Sequence, residues 1–277
     1  MKSKKAIVTL NIGDKWVERF RSVFLPSWEL YGERHDITIV NITRTLDGSS
    51  RAAARSPAWQ KLLVHRAEEV GSFERIAWVD SDIMIRADAP DIFSAVPRDK
   101  VGAVDDYGSP NREDHAAMID ALYRKWDIKG VPYVSNRSPK EYYSNYGIDC
   151  TLNSVVQTGV MVYTPEIHGE LLRRVYETYE EGASPALNHE MRPLSFELLN
   201  AGLVHWMSPK FNMQWSYYKQ LYYPFLDDEK SLEVLRWPRI SAREKVLSAS
   251  VNTAFRNNYF LHFAGGSKDY RCIVPIW

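Results

Sequence analysis

The chain has 277 residues, of which 45% are hydrophobic and 25% are charged, as in a globular protein with a sizeable core. Its 35 basic side chains balance 35 acidic ones, so no overall charge favours nucleic acid or an anionic membrane as a partner. Two distant cysteines exclude a disulfide framework, and no apolar run is long enough for a signal or membrane-spanning segment, so we expect a cytoplasmic protein, at most peripheral to a membrane.

The first part of the chain alternates between strand and helix patterns. Short apolar runs predict four strands, at residues 7–10, 37–40, 76–79 and 101–104. Between them, apolar residues at helical spacing predict one helix that begins at Asp14 and another that begins at Ser56 and ends at Gly71. This alternation indicates an α/β fold with a mainly parallel sheet, and ligands are expected at the carboxyl ends of its strands.

The second part of the chain is less regular. Residues 107–150 are polar and rich in tyrosine, which predicts long loops with one short helix near 114–126. A buried strand at 155–163 follows, then helices at 167–181 and 193–200 and an irregular aromatic segment at 206–226. No change in composition marks a boundary, so we expect a single domain over residues 1–277.

Two acids stand where the strand at 76–79 should end. Asp80 and Asp82 are separated by one residue, and in extended backbone such side chains point to the same side, where both can bind one hard cation. The alternative is a turn with two solvated acids. One apolar run, at residues 76–79, precedes the pair and another, at residues 83–85, follows it. Because the chain is expected to be buried on both sides of the pair, the first interpretation is favoured.

A second motif, HxxGxxK, lies near the end of the chain. His262 can complete a metal sphere begun by carboxylates, and Mn²⁺ suits such an oxygen and nitrogen donor set. Gly265 and Gly266 allow the backbone to approach a phosphate, and Lys268 supplies a matching charge. The alternative is a Gly-Gly turn beside a packed histidine. Together with the two acids, the motif predicts a site for a metal and a diphosphate.

Three segments carry a resemblance to a known family. SPAWQKLLVHRAEEVGSFERIAWVDSDIMI, VVQTGVMV and LHFAGGSK, in this order, resemble glycosyltransferases of the GT-A (Rossmann-like) fold, most of all the retaining, metal-dependent families 8 and 34. The resemblance implies that Asp80, Asp82 and His262 bind Mn²⁺, with Mg²⁺ as an alternative. It also implies that Gly265 and Lys268 hold the diphosphate of a nucleotide sugar, for which a UDP-sugar is the favoured donor.

The resemblance assigns further residues to the donor. It implies that residues 1–106 form the nucleotide-binding half, and that residues 107–277 bind the acceptor and complete the site. The residues that it places near the nucleotide or the diphosphate are Thr9, Asn11, Lys61 and Ser81. Asp105 and Asp106 stand at another strand end, where they either hydrogen-bond hydroxyls of the donor sugar or form a plain turn. The implied reaction transfers a hexosyl or pentosyl group to a saccharide or glycoconjugate acceptor.

The chain departs from families 8 and 34 at two points. Gln157 stands where these families usually have Asn, and His189-Glu190 stands where they have an Asp-Gln pair. Glu190 is similar to the glutamate proposed as a nucleophile in family 6, so Glu190 and Gln157 are the catalytic candidates, and the stereochemical outcome stays open. The alternative role for Glu190 is an acid stabilised at a helix N-terminus.

The sequence leaves open the role of one segment and two other functions for the whole protein. The aromatic residues of segment 206–226 form either an acceptor platform or ordinary core; they are Trp206, Trp215, Tyr217 and Tyr218. A haloacid-dehalogenase-like phosphatase also uses DxD, but its nucleophile follows the first strand and precedes Thr, whereas Asp80 comes late and Ile83 follows the pair. The other alternative is a catalytically silent GT-A domain that binds a saccharide or nucleotide.

Overall fold

A computed structural model describes residues 4–129, 137–181, 189–227 and 242–274. Its strands are β1 (Lys5–Leu10), β2 (Thr38–Ile42), β3 (Arg75–Val79), β4 (Ile83–Ile85), β5 (Val101–Asp105), β6 (Val156–Tyr163), β7 (Val204–Trp206), β8 (Met213–Gln214) and β9 (Phe260–His262). Its α-helices are α1 (Asp14–Arg19), α2 (Leu25–His35), α3 (Ser50–Ala53), α4 (Arg112–Lys129), α5 (Pro139–Ser144), α6 (Pro165–Thr178), α7 (Met191–Asn200), α8 (Trp215–Tyr222) and α9 (Ala242–Asn257). A π-helical turn, Phe20–Phe24, joins α1 to α2.

Six strands form a large sheet in the order β2-β1-β3-β6-β5-β7. β6 runs antiparallel to both of its neighbours, and the other five strands run in one direction. The carboxyl ends of β1, β3 and β5 therefore meet at one edge of the sheet, as the alternation of strands and helices predicts.

Layers of helix cover both faces of the large sheet. Along β1, Ile7 packs into one hydrophobic cluster while Ala6 and Val8 pack into the other, because successive side chains of a strand point to opposite faces. The first cluster includes Trp28 of α2, and the second includes Leu172 of α6. This arrangement accounts for the continuous apolar runs of the predicted strands, which have no solvated face.

A second sheet of three strands, in the order β4-β9-β8, lies beside the large one. β4 pairs antiparallel with β9, and β8 pairs parallel with it. The outer edge of β4 is covered by α2, because the indole of Trp28 donates to the Ile83 carbonyl at 2.7 Å and the Ile85 amide donates to the Ser27 hydroxyl at 3.2 Å. The apolar residues after the two acids thus belong to a different sheet from the strand before them.

Local structure differs from the prediction in the segment that begins at Ser56. The Ser56 side chain caps this segment by accepting from the Ala58 amide at 3.3 Å, but the segment is two 3₁₀ turns, Pro57–Arg66 and Glu68–Val70. The prediction of one helix as far as Gly71 is wrong, since Ala67 adopts an extended conformation between the two turns. Apolar spacing over so few turns does not separate a 3.6-residue period from a 3.0-residue one.

The second half is more regular than predicted. α4 extends beyond the short helix expected near 114–126, and α5 lies in a stretch predicted as loop. The aromatic segment 206–226 contains β8 and α8 together with 3₁₀ turns at Pro209–Phe211 and Pro224–Asp227. Within the described ranges, no helix combines the length and apolar composition that crossing a bilayer requires.

Candidate metal and nucleotide-sugar site

Three side chains at the junction of the two sheets form a group that can hold a metal ion. One ligand atom from each of Asp80, Asp82 and His262 lies within 4.8 Å of the other two. His262 Nε2 is 3.2 Å from a carboxylate oxygen of Asp82 and 3.8 Å from one of Asp80. Two carboxylates and an imidazole form a mixed oxygen and nitrogen donor set, which fits a divalent ion such as Mn²⁺.

The backbone brings these three residues together from distant parts of the chain. Asp80 directly follows β3, and Asp82 directly precedes β4. Ile83, the first residue of β4, is paired with His262 in β9, and the Phe263 amide donates to the Asp82 carbonyl at 2.9 Å. The register of β4 on β9 therefore decides which residue faces the two acids.

The charges within the group depend on one another. Burial favours a higher pKa for Asp82, but the neighbouring charges of His262 and Arg19 outweigh burial and hold that pKa below its usual value. Burial favours a lower pKa for His262, but the charges of Asp82 and Asp80 raise it. The imidazolium thus offsets the repulsion between the two acids, and a divalent cation can replace it by displacing the proton on Nε2.

A hydrogen-bonded relay of two carboxamides orients His262. His262 Nδ1 lies 2.9 Å from Asn212 Oδ1, and Asn212 Nδ2 donates to Gln157 Oε1 at 2.6 Å. The Gly159 amide donates to the same Gln157 oxygen at 2.6 Å. Because the Asn212 oxygen must accept, Nδ1 of His262 carries a proton and Nε2 faces the acids. Gln157, predicted to be catalytic, has its side-chain oxygen engaged in this relay.

A buried lysine links the metal group to the other catalytic candidate. Lys61 Nζ lies 3.2 Å from an Asp80 oxygen and 2.9 Å from Glu190 Oε1, which also accepts from the Thr158 hydroxyl at 2.9 Å. Burial alone would lower the pKa of Lys61, but the charges of Asp80 and Glu190 outweigh burial and raise it. The ammonium group therefore stays charged and pairs with both carboxylates.

A cavity of about 670 Å³ opens on one side of the metal group. The Glu190 side chain lines it and is only 3% exposed. At one end lie Gly265, Gly266 and Lys268, and both glycines have a positive φ, 73° and 74°, that favours glycine. Residues from other elements that line the cavity are Asp106, Tyr107, His115, Tyr142, Gln214, Trp215 and Tyr217.

A second, smaller cavity of about 410 Å³ is also lined by the two acids. It shares Lys61, Asp80 and Asp82 with the larger one, and Asn11, Trp16 and Ser81 are among its other lining residues. Asn11 donates to Asn41 at 2.8 Å, and Trp16 is 45% exposed. The predicted residue Thr9 is fully buried in β1 and is not among the residues that line this cavity.

Two sets of predicted residues, the acids at the end of β5 and the aromatic residues of segment 206–226, line the cavity only in part. Asp105 faces away from the cavity and binds Arg112 at 3.0 Å, whereas Asp106 lines the cavity and accepts from Gln214 at 3.0 Å. Of the four residues proposed as an acceptor platform, Trp215 and Tyr217 line the cavity, and Trp206 and Tyr218 do not. The four aromatics therefore do not form one surface, since Trp206 belongs to β7 and only two of the three in α8 line the cavity.

No protein-family model and no curated protein matches the sequence. Two solved structures share its architecture over nearly their whole length. One is a glycosyltransferase involved in the glycosylation of the major capsid of PBCV-1, with a TM-score of 0.52 and 14% identity, covering 97% of this chain and 96% of that chain. The other is the galactosyltransferase LgtC in complex with donor and acceptor sugar analogs, with a TM-score of 0.51 and 12% identity, covering 98% of both chains. The chain has the glycosyltransferase GT-A fold.

The comparisons confirm the predicted fold class. Within this fold, Asp80, Asp82 and His262 form a group that can hold a metal ion.

Sequence reasoning missed Asn212 and Gln214. Both lie in the aromatic segment 206–226, where no motif distinguishes them, and each acts through the side chain of a residue far away in the sequence. The one available signal is that they are polar residues among apolar ones, a pattern that predicts buried hydrogen bonds but not their partners.

Proposed function

We propose that this protein transfers a sugar from a nucleotide-sugar donor, a UDP-sugar, to a saccharide or glycoconjugate acceptor, and that it requires Mn²⁺, or Mg²⁺ in its place. The observation that carries the proposal is the Asp80, Asp82 and His262 group, whose two acids line both cavities on a GT-A fold. A nucleotide sugar matches this arrangement, because its charged diphosphate joins a nucleoside at one end to a sugar at the other.

The two cavities suggest how the donor lies. In this proposal the nucleoside occupies the smaller cavity, where Asn11 offers an amide and Trp16 an exposed ring. The diphosphate lies at the metal group, where Lys268 and the backbone at Gly265 can reach it. The sugar and the acceptor then share the larger cavity.

The residues of the chain divide the chemical work. A bound divalent ion would be held by Asp80, Asp82 and His262 and would supply Lewis-acid stabilisation of the leaving diphosphate. Lys268 adds a positive charge at the same place. Lys61 neutralises Asp80 and Glu190, so that the donor meets a site with less excess negative charge.

We propose that the reaction retains configuration and that Glu190 is the nucleophile. Its two contacts, from Lys61 and Thr158, are both to Oε1, which leaves Oε2 as the atom to attack. The bond from C1 to the diphosphate breaks as the bond from C1 to Glu190 forms. The acceptor oxygen then bonds to C1 as the bond from C1 to Glu190 breaks, and the acceptor proton passes to an oxygen of the released diphosphate. Attack on the face that the diphosphate leaves is the alternative route to the same product.

The first prediction tests the metal and the nucleotide. Calorimetry should show UDP binding that requires Mn²⁺, and Asp82→Ala should weaken it by at least about tenfold because one metal ligand is lost. Slow release of UDP from a panel of UDP-sugars, without acceptor, would then name the donor. UDP affinity that is unchanged by Mn²⁺, Mg²⁺ and the substitution would contradict the proposal, and binding without any hydrolysis or transfer would indicate a silent domain.

The second prediction concerns Glu190. Glu190→Gln should lower the transfer rate by at least about a hundredfold, since a covalent nucleophile cannot be replaced by an amide. Glu181→Gln is the matched control, because Glu181 is a nearby partly buried glutamate that binds Trp59 and His189 and is not among the residues lining the cavity. A loss of less than about tenfold for Glu190→Gln would leave the front-face route.

A further inference from the structure

The larger cavity contains side chains that the proposed reaction does not use. His115 and Tyr142 both line it and are both 2% exposed. Among the described residues, His115 Nε2 and the Tyr142 hydroxyl have no hydrogen-bond partner. Buried polar atoms are nearly always paired in folded proteins, so two unpaired ones that belong to the wall of one cavity point to a ligand.

An acid beside them has spare hydrogen-bonding capacity. Asp106 is 7% exposed and accepts from Gln214 through one oxygen, at 3.0 Å. Gln214 is paired with His262 across β8 and β9, so Asp106 is connected to the metal group through one side chain and one strand pair. Asp106 therefore links the wall that contains His115 and Tyr142 to the candidate metal group.

Aromatic rings frame the same region. The Tyr107 ring lies 4.9 Å from His115 and 6.2 Å from Tyr142, and the Tyr217 ring lies 5.5 Å from His115. Rings offer apolar faces to the C–H groups of a sugar, while the unpaired polar atoms address its hydroxyls. A small apolar ligand would leave the polar atoms unsatisfied.

The charges of the region argue against an anionic ligand. Burial lowers the pKa of His115 to about 4, so its imidazole is neutral at pH 7. Burial, followed by the charge of Asp105, raises the pKa of Asp106 to about 7, which leaves a partial negative charge. Burial also raises the pKa of Tyr142, so its hydroxyl stays protonated. A carboxylate would meet no positive partner among these three.

Of the cations nearby, Lys61 and Lys219 are paired with carboxylates, and Arg192, whose Nε has no partner among the described residues, lies outside the cavity wall. Lys219 lines the cavity but lies 3.0 Å from Asp227 and 3.8 Å from Asp269. Arg192 lies over the Tyr142 ring, 4.8 Å from its centre, and is not among the residues that line the cavity. Lys268 belongs to the diphosphate end.

We propose that Asp106, His115 and Tyr142 form a subsite for an uncharged sugar ring, which binds through its hydroxyl groups, and that the subsite rejects uronic acids. The inference rests on the proposed function and narrows its substrate class. The ring is either the transferred sugar of the donor or the terminal sugar of the acceptor, and the same contacts suit both.

The experiment uses the full chain with Mn²⁺ and pairs of ligands that differ only at C6. One arm compares the affinities for UDP-glucose and UDP-glucuronic acid, and for UDP-galactose and UDP-galacturonic acid. The other arm adds UDP and compares methyl glucoside with methyl glucuronide, and methyl galactoside with methyl galacturonide. In at least one arm, we expect the neutral ligand to bind at least about tenfold more tightly, and that arm assigns the ring to the donor or to the acceptor.

A hydroxyl deletion tests the residues themselves. Tyr142→Phe should weaken binding of the neutral ligand about three- to tenfold without lowering the melting temperature, because the hydroxyl has no partner to lose on folding. Tyr163→Phe is the matched control. Its hydroxyl is also buried and has no partner among the described residues, but Tyr163 packs in the hydrophobic cluster that contains Ala6 and Val8. This substitution should leave binding unchanged.

Three results would overturn the subsite. The first is that uronates bind as tightly as the neutral sugars. The second is that Tyr142→Phe weakens binding no more than Tyr163→Phe does. The third is that neither arm shows sugar binding or discrimination while UDP still binds with Mn²⁺. The proposed function survives all three. Loss of Mn²⁺-dependent UDP binding in the unmodified protein would instead remove the proposed function, and the subsite with it.

Discussion

A single carboxamide, that of Asn212, fixes which nitrogen of His262 faces the two acids. It accepts from Nδ1 of the imidazole and donates to Gln157, so a reversed amide would place like groups against both neighbours. Asn212 is 1% exposed, which means that water is a poor substitute for either contact. At this scale the candidate metal site depends on residues that are not among its three possible ligands.

The third prediction follows from this relay. Asn212→Ala should weaken Mn²⁺ binding about 10- to 100-fold, as expected when the partner of a metal-binding histidine is removed. Asn258→Ala is the control, because Asn258 is also buried and donates to a carbonyl, that of Ala254, away from the acids. Titration followed by the electron spin resonance of free Mn²⁺ measures both affinities, and equal effects of the two substitutions would contradict the relay.

At the scale of elements, the site is held where β3, β6 and the β4–β9 pair meet. The Asp80 amide donates to the Gly159 carbonyl at 2.8 Å, which continues the pairing of β3 and β6 past the end of the strand. The opposite face of Gly159 is closely packed, since a Cβ built there would lie 2.7 Å from the His262 ring and 2.9 Å from Gln157 Oε1. The glycine interrupting the apolar run is therefore explained by the close approach of two site residues.

The fourth prediction is that Gly159→Ala weakens Mn²⁺ binding by at least about tenfold, because the added methyl group has to displace His262 or Gln157 by several tenths of an ångström. Gly48→Ala is the control, since a Cβ there meets nothing within 4 Å. Calorimetric Mn²⁺ affinities compare the two variants. A Gly159→Ala protein that binds Mn²⁺ normally would show that the imidazole has more freedom than this packing implies.

At the scale of the whole molecule, the proposed donor site spans two sheets. Asp80 belongs to the edge of the large sheet, and His262 belongs to the small one. The two sheets are linked across the site by the contact between His262 and Asp82, whose opposite charges raise the pKa of the imidazole and lower that of the carboxyl group. Ligands that replace this contact with a metal and a diphosphate should bind the folded chain alone and so stabilise it.

The fifth prediction is a change in stability. UDP and Mn²⁺ at about a hundred times their dissociation constant should raise the free energy of unfolding by about 2.7 kcal/mol, which corresponds to a rise in melting temperature of roughly 5–10 °C. Thermal melts with and without EDTA measure the change, and Asp82→Ala should abolish it. A rise that persists in Asp82→Ala would mean that the ligands bind elsewhere.

The sequence by itself determined the layered α/β fold and the chemistry of the metal group. Strand and helix periods repeat within a few residues, so a local pattern is enough to predict them. The two carboxylates and the imidazole are likewise residue types that can bind a divalent ion such as Mn²⁺, wherever they lie in the chain. The order of the three resembling segments then sufficed to expect a GT-A fold, which the structural comparisons confirm.

Only the tertiary structure decided how the site is assembled. The pairing of Ile83 with His262, the relay through Asn212 and the placement of Asp106 rather than Asp105 in the cavity each join residues that are distant in the sequence. Such contacts depend on strand register and side-chain packing, which a local pattern does not encode. The residue types of the DxD motif indicated a cation, whereas the unpaired atoms of His115 and Tyr142, on which the proposed sugar subsite rests, were revealed only by the packing of the folded chain.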